Sequence, residues 1–136
     1  MQLRTWLLVC LLLLSKTLFA EVVQINSQQL SKLLEAGVTV IDVRTPSEWK
    51  QTGIVEGSHT IMFFDERRQP RTQQWMQQIS QLVTPEDELI LICRTGNRSG
   101  LIANFLTKQY KFARVYNVQG GIKAWKAKGY QTIVVN

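Results

Sequence analysis

Two short runs constrain this chain most. Val38 to Val43 reads VTVIDV, and Glu88 to Cys93 reads ELILIC. Both are rich in β-branched and other apolar residues and lack the alternation of a half-exposed strand. That pattern suits strands covered on both faces. Helix-opening signals follow each run. Thr45-Pro46-Ser47-Glu48 is a capping box with proline at the first helical position, so a helix begins sharply after the first run. After the second, the loop CRTGNRSG leads into a segment whose apolar positions Leu101, Ile102, Phe105 and Leu106 follow helical spacing. Buried strands separated by helices imply parallel βαβ units. The expected fold is therefore a three-layer α/β domain, a central parallel sheet flanked by helices on both faces.

The rest of the chain keeps the same alternation. Val22 to Ile25 reads as a first strand, and Asn26 or Ser27 caps a helix carrying Leu30, Leu33 and Leu34. His59 to Phe64 is a third strand candidate, and Thr72 to Val83 a helix with Trp75, Ile79 and Leu82 on one face. Thr84 to Asp87 is a turn, Val115 to Val118 a further strand, and Gly120-Gly121 opens a helix with Ile122 and Trp125 that stops at Gly129. The charged stretch Asp65 to Arg71 reads as a solvated loop. With 45% hydrophobic and 19% charged residues, the composition excludes intrinsic disorder, and 136 residues suit one domain.

The N-terminus is of another kind. Arg4 precedes an unbroken apolar run from Trp6 to Leu14, and Lys16 ends any extension. This matches the n- and h-regions of a secretory signal peptide and is too short for a membrane-spanning helix, which needs roughly 17–25 apolar residues. Cleavage is expected near Ala20, giving a signal peptide at 1–20, a domain at 21–136 and a periplasmic or secreted location. Ala20 fits the small residue that cleavage favours, whereas Leu18 is larger than the usual pattern, and an uncleaved anchor is the alternative. Processing would remove Arg4 and Lys16, lowering the net charge from +6 to +4.

Processing would also remove Cys10, leaving Cys93 as the single cysteine. Two cysteines and one histidine are too few for a disulfide framework or a four-ligand zinc site, so no metal is expected. An unpaired thiol in an oxidising compartment is either buried and inert or kept because it reacts. Its neighbours decide between these. Cys93 ends a strand, where open parallel sheets bind ligands. Gly96 lets the backbone curl so that amide N–H groups converge, and the helix opening near Ser99 adds the positive end of its dipole. Arg94 and Arg98 add two formal charges. Each feature favours a thiolate and attracts an anion.

CRTGNRS resembles the active-site loop of the rhodaneses, the thiosulfate sulfurtransferases. Other stretches are similar to further family elements in the right order. IDVRTPSEW (Ile41 to Trp49) resembles the Asp-x-Arg strand end followed by a helix with an acidic residue. Gly53 to Ser58 resembles the G-H-I-P-G-A segment, and Val118 to Trp125 the G-G-x-x-x-W element. The histidine of G-H-I-P-G-A is Ile54 here and the proline is Glu56; His59 reads as a strand-edge residue rather than a catalytic partner. Asp42 and Arg44 read as residues whose ion pairs or hydrogen bonds fix the loops around the site, rather than as catalytic charges.

The resemblance implies a rhodanese-like domain that moves sulfane sulfur from a small anionic donor such as thiosulfate to a thiophilic acceptor through a Cys93 persulfide. The acceptor would be a thiol, cyanide or a protein. It implies Cys93 as nucleophile, the loop residues Arg94, Thr95, Gly96, Asn97, Arg98 and Ser99 as the substrate and persulfide cradle, and no cofactor. Two rivals share the motif. One is a sulfur carrier or redox-responsive binding module with little turnover. The other is a thiol-dependent phosphatase or arsenate reductase, but the four residues between Cys93 and Arg98 are one fewer than in protein tyrosine phosphatases, which makes a smaller cradle. The basic residues Arg67, Arg68 and Arg71 lie beside Asp65 and Glu66 without aromatic interleaving, so nucleic acid is not an expected partner. Stable membrane insertion is not expected either, and a monomer is.

Overall fold

The computed structural model describes residues 20–136. The expected export segment therefore lies outside the described residues, except for Ala20. Five strands and five helices follow in the order β1 (Glu21–Ile25), α1 (Ser27–Glu35), β2 (Thr39–Asp42), α2 (Pro46–Thr52), β3 (His59–Thr60), α3 (Thr72–Ile79), β4 (Glu88–Ile92), α4 (Asn97–Gln109), β5 (Arg114–Val118) and α5 (Gly121–Ala127). The strands form one parallel sheet in the order β1-β5-β4-β2-β3.

β4 lies at the centre, and its side chains show why its sequence does not alternate. Leu89, Leu91 and Cys93 join one core with Trp75, Ile79, Ile102 and Leu106 from α3 and α4. Ile90 and Ile92 join the other with Leu30, Ile122 and Trp125 from α1 and α5. Both faces are dry, so both parities must be apolar. Three layers result, as the sequence implied.

The helix signals act where they were read. Asn26 caps α1 reciprocally with Gln29, the two backbone-to-side-chain bonds measuring 2.8 and 2.9 Å. Pro46 opens α2, and Glu48 Oε2 accepts the Thr45 N–H at 3.0 Å. β2 and β4 lose no more than one terminal residue at an end, whereas two elements are shorter than expected by four residues each. β3 keeps only His59 and Thr60, because the chain beyond them bends away towards the Phe64–Pro70 bridge. Past it, Ile61 and Phe63 still donate to Asp42 O and Val43 O, and Phe64 then turns to bridge Pro70. α3 ends at Ile79 rather than at Val83. Both Leu82 and Val83 donate to the Ile79 carbonyl, which turns Val83 into the core and leaves Leu82 39% exposed instead of on the Trp75 face.

The topology places a crevice at the carboxyl ends of the strands. From β2 the chain proceeds outward to β3, whereas from β4 it proceeds the other way to β5. The carboxyl ends of β2 and β4 therefore flank the switch point of the sheet, the crevice where open α/β folds take ligands. Asp42, Arg44 and α2 stand on one side, Cys93 and its loop on the other.

Candidate active site

Cys93 follows the last residue of β4 and is 1% exposed. The backbone then closes under its sulfur. Gly96 adopts φ +99°, a left-handed conformation that side chains disfavour, and a Cβ there would sit 3.2 Å from the Val118 carbonyl. In that conformation the Gly96 N–H donates to Cys93 Sγ at 3.1 Å. Ser99 Oγ, from the first turn of α4, lies 3.2 Å from the same sulfur. Gly96 caps α4, so the sulfur also meets the positive end of a 13-residue helix.

The outer carbonyls of the loop are held from α5. Ile122 donates to Cys93 O at 2.9 Å and Lys123 to Arg94 O at 3.1 Å. Gly121 makes this possible: a Cβ there would lie 2.5 Å from the Arg94 carbonyl oxygen.

Of the residues expected to form the cradle, Gly96 and Ser99 reach the sulfur, while Arg94, Thr95 and Asn97 are exposed around it. Arg98 is placed differently from a free anion-binding cation. It makes a bidentate pair with Glu48 of α2, with Nη1 to Oε2 at 2.9 Å and Nη2 to Oε1 at 2.6 Å. Burial pushes the Glu48 carboxyl up. The hydrogen bonds from Arg98 and Thr45, with the Arg98 charge, outweigh it and bring the group from its ordinary 4.5 down to about 2. The same hydrogen bond, against the opposing effect of burial, raises Arg98. Arg94 has no ion-pair partner among the described residues.

A cleft of about 640 Å³ opens beside the loop, lined by Arg94, Thr95, Asn97 and Arg98 on one side and by Glu48, Phe64 and Arg68 on the other. Cys93 itself does not line it. The Asp65–Arg71 stretch, expected to be a plain solvated loop, is a formed turn and one wall of this cleft. Asp65 Oδ1 accepts from the N–H groups of Arg67 and Gln69, and Glu66 accepts from Ser47 Oγ at 3.0 Å. Leu101 is not part of the core face of α4; it is 66% exposed at the cleft mouth.

Asp42 and Arg44 serve as the fixing charges that were expected, and they pair with each other. Both are fully buried, with Arg44 Nη2 2.7 Å from Asp42 Oδ2. The remaining Arg44 donors go to Asp42 Oδ1, Thr52 Oγ1 and Gly53 O, tying β2 to α2. His59 is exposed on the edge strand, paired with Ile41 and short of the sulfur's level along the sheet.

Sequence reasoning missed two groups. Glu48 was read as a helix cap only, yet its carboxylate serves the cap and Arg98 together. Asn117 of β5 is buried and lies 2.6 Å from Ser99 Oγ through Oδ1. A polar residue inside the apolar run of β5 was the available signal for it.

A family model for the rhodanese-like domain matches residues 26–128, three quarters of the chain and the whole of the site. The chain is a member of the rhodanese-like domain family. Thiosulfate sulfurtransferase 18 of Arabidopsis thaliana is 31% identical over 115 residues, covering 82% of this chain and 83% of that protein. A protein named sulfurtransferase from Allochromatium vinosum is 32% identical over 109 residues, covering 78% and 90%. Among solved structures, a rhodanese-related protein from Thermoplasma volcanium superposes with a TM-score of 0.63 at 27% identity, covering 83% of this chain and 99% of that one. These relatives support assignment to the sulfurtransferase family.

Proposed function

We propose that this rhodanese-like protein is a sulfurtransferase that carries sulfane sulfur on Cys93, taking it from a small anion such as thiosulfate and passing it to a thiophilic acceptor. The observation that carries the reading is the sulfur of Cys93 within 3.1 Å of the Gly96 N–H, at the N-terminus of α4. In the first half-reaction the thiolate attacks the outer sulfur of thiosulfate. The S–S bond of the donor breaks, sulfite leaves with its electron pair, and a persulfide anion remains on Cys93. In the second, cyanide, a thiol or a protein thiolate attacks the terminal sulfur and the Cys93 thiolate is restored.

The loop residues take separate parts. The Gly96 N–H and the α4 terminus offset the negative charge of the attacking thiolate and of the persulfide. Arg94, exposed and without an ion-pair partner among the described residues, steers and binds the donor anion. Arg98, held by Glu48, anchors the helix end on α2 and adds a partly compensated positive field. Thr95 and Asn97 complete the rim, and Ser99 touches the sulfur from below.

Exposure to thiosulfate followed by mass spectrometry of the intact protein tests this. One added sulfur atom on the wild type and none on Cys93→Ser is the expected result. Absence of uptake by the folded wild type overturns the proposal, and turnover of phosphate esters in its place points to the phosphatase rival. Residues 1–20 direct export in this reading. A mature N-terminus at Glu21 is expected, and a membrane-bound form retaining Met1 contradicts it.

A further inference from the structure

The hydrogen bonds beneath the sulfur have a direction, and it runs away from Cys93. Asn117 Nδ2 lies 3.1 Å from the Gly96 carbonyl and 2.9 Å from Gln24 Oε1. A backbone carbonyl only accepts, so the NH₂ group of Asn117 must face Gly96, and its oxygen must face Ser99. That oxygen is 2.6 Å from Ser99 Oγ, a short contact that two acceptors cannot hold. The single hydroxyl proton of Ser99 therefore points to Asn117. Towards Cys93 Sγ, at 3.2 Å, Ser99 presents a lone pair. A lone pair accepts from a thiol S–H and repels a thiolate.

We infer that Asn117 is a positioning residue that commits the Ser99 hydroxyl proton away from the sulfur, so that Ser99 holds the resting Cys93 as a thiol. Ionisation then depends on the Gly96 N–H and the α4 terminus, and on the charge brought by the loop. This deepens the reading of Cys93 as the nucleophile and rests on it for its catalytic meaning. The charged groups around the sulfur are Arg94 on the loop, Arg98 on α4, Glu48 on α2, the Asp42–Arg44 pair of β2, and Lys123 of α5, whose N–H meets Arg94 O. Asp65, Glu66 and Arg68 stand across the cleft. β5 and β1 present the neutral amides of Asn117 and Gln24. No variant below alters any of these charges.

The test is the pH profile of Cys93 alkylation by iodoacetamide in the full chain, read by mass spectrometry on the Cys93 peptide so that Cys10 does not interfere. Ser99→Ala removes the acceptor of the thiol proton and lowers the midpoint by about half a pH unit. Asn117→Ala frees the Ser99 hydroxyl to donate to the sulfur and lowers it by about one unit. In the Ser99→Ala background, Asn117→Ala causes no further shift. A midpoint that rises in Ser99→Ala overturns the inference, since Ser99 then donates to the sulfur in the wild type. So does an Asn117→Ala shift that persists without Ser99. If Asn117→Ala does not fold, the sign of the Ser99→Ala shift decides alone. Alkylation needs no sulfur donor, so this result and the thiosulfate experiment can fail separately.

Discussion

The ends of β2 and β4 are neighbours in one sheet, and each places an arginine-bearing segment at the same crevice. Their polar groups are used in opposite ways. At β2, each guanidinium nitrogen of Arg44 has an acceptor in Asp42, Thr52 or Gly53, Trp49 Nε1 adds a further bond to Asp42 at 3.1 Å, and both charges are fully buried. At β4, the arginine next to the sulfur is exposed and has no ion-pair partner among the described residues, and the sulfur receives a backbone N–H. Saturation makes the first a strut. Open valence makes the second the candidate site. Arg98 belongs partly to each: it sits in the loop motif, yet Glu48 holds it as a brace between α2 and α4.

Removing each part in turn separates the two roles. The largest effect is expected for Cys93→Ser, which abolishes sulfur uptake while thermal unfolding stays close to that of the wild type. Loss of cooperative folding in that variant would erase the distinction between strut and site. Arg44→Ala should leave the Asp42 carboxylate buried without its counter-charge and cost about 3–5 kcal/mol, measured by denaturant unfolding. Arg94→Ala should keep its stability and lose about tenfold in kcat/KM for thiosulfate, chiefly through KM. A stability loss comparable to that of Arg44→Ala would place Arg94 among the struts.

Glu48 gives the smallest and most diagnostic effect. Its carboxyl is lowered from 4.5 to about 2, so its contribution is complete above about 4.5 and fades as pH falls towards about 2. Glu48→Gln should therefore melt a few degrees below the wild type at neutral pH, and the gap should narrow in acid. A gap independent of pH would mean that the carboxylate charge contributes nothing to the brace.

The unequal legibility of the two strand ends has a physical basis. The α2 cap at Thr45 and Glu48, the Asp42–Arg44 pair and the loop from Cys93 to Ser99 are local in sequence, and local spacing carries their geometry. Glu48 and Arg98 are 50 positions apart, and Asn117 is 18 beyond Ser99. Only the sheet order brings them together, and an order that interleaves β5 between β1 and β4 cannot be read from strand patterns. Helix periodicity likewise carried Trp75 and Ile79 correctly but overran at Leu82, because the turn after Ile79 breaks the period before the apolar residues end. The wall formed by Asp65 to Arg71 was hidden for a different reason. Its charges describe a solvated segment equally well, and its role comes only from lying opposite the loop.

The grip of α5 on the Cys93–Arg94 carbonyls has a consequence for biosynthesis. The peptide groups that shape the thiol's surroundings, at Gly121, Ile122 and Lys123, lie well after the thiol in the chain. A nascent chain that has exposed Cys93 but not yet Gly121 carries an ordinary cysteine with its loop unshaped. If Cys93 carries sulfur as proposed, its reactivity is expected only once the last helix has docked, and a chain cut short before Gly120 should keep the motif without the α5 bonds that hold its loop.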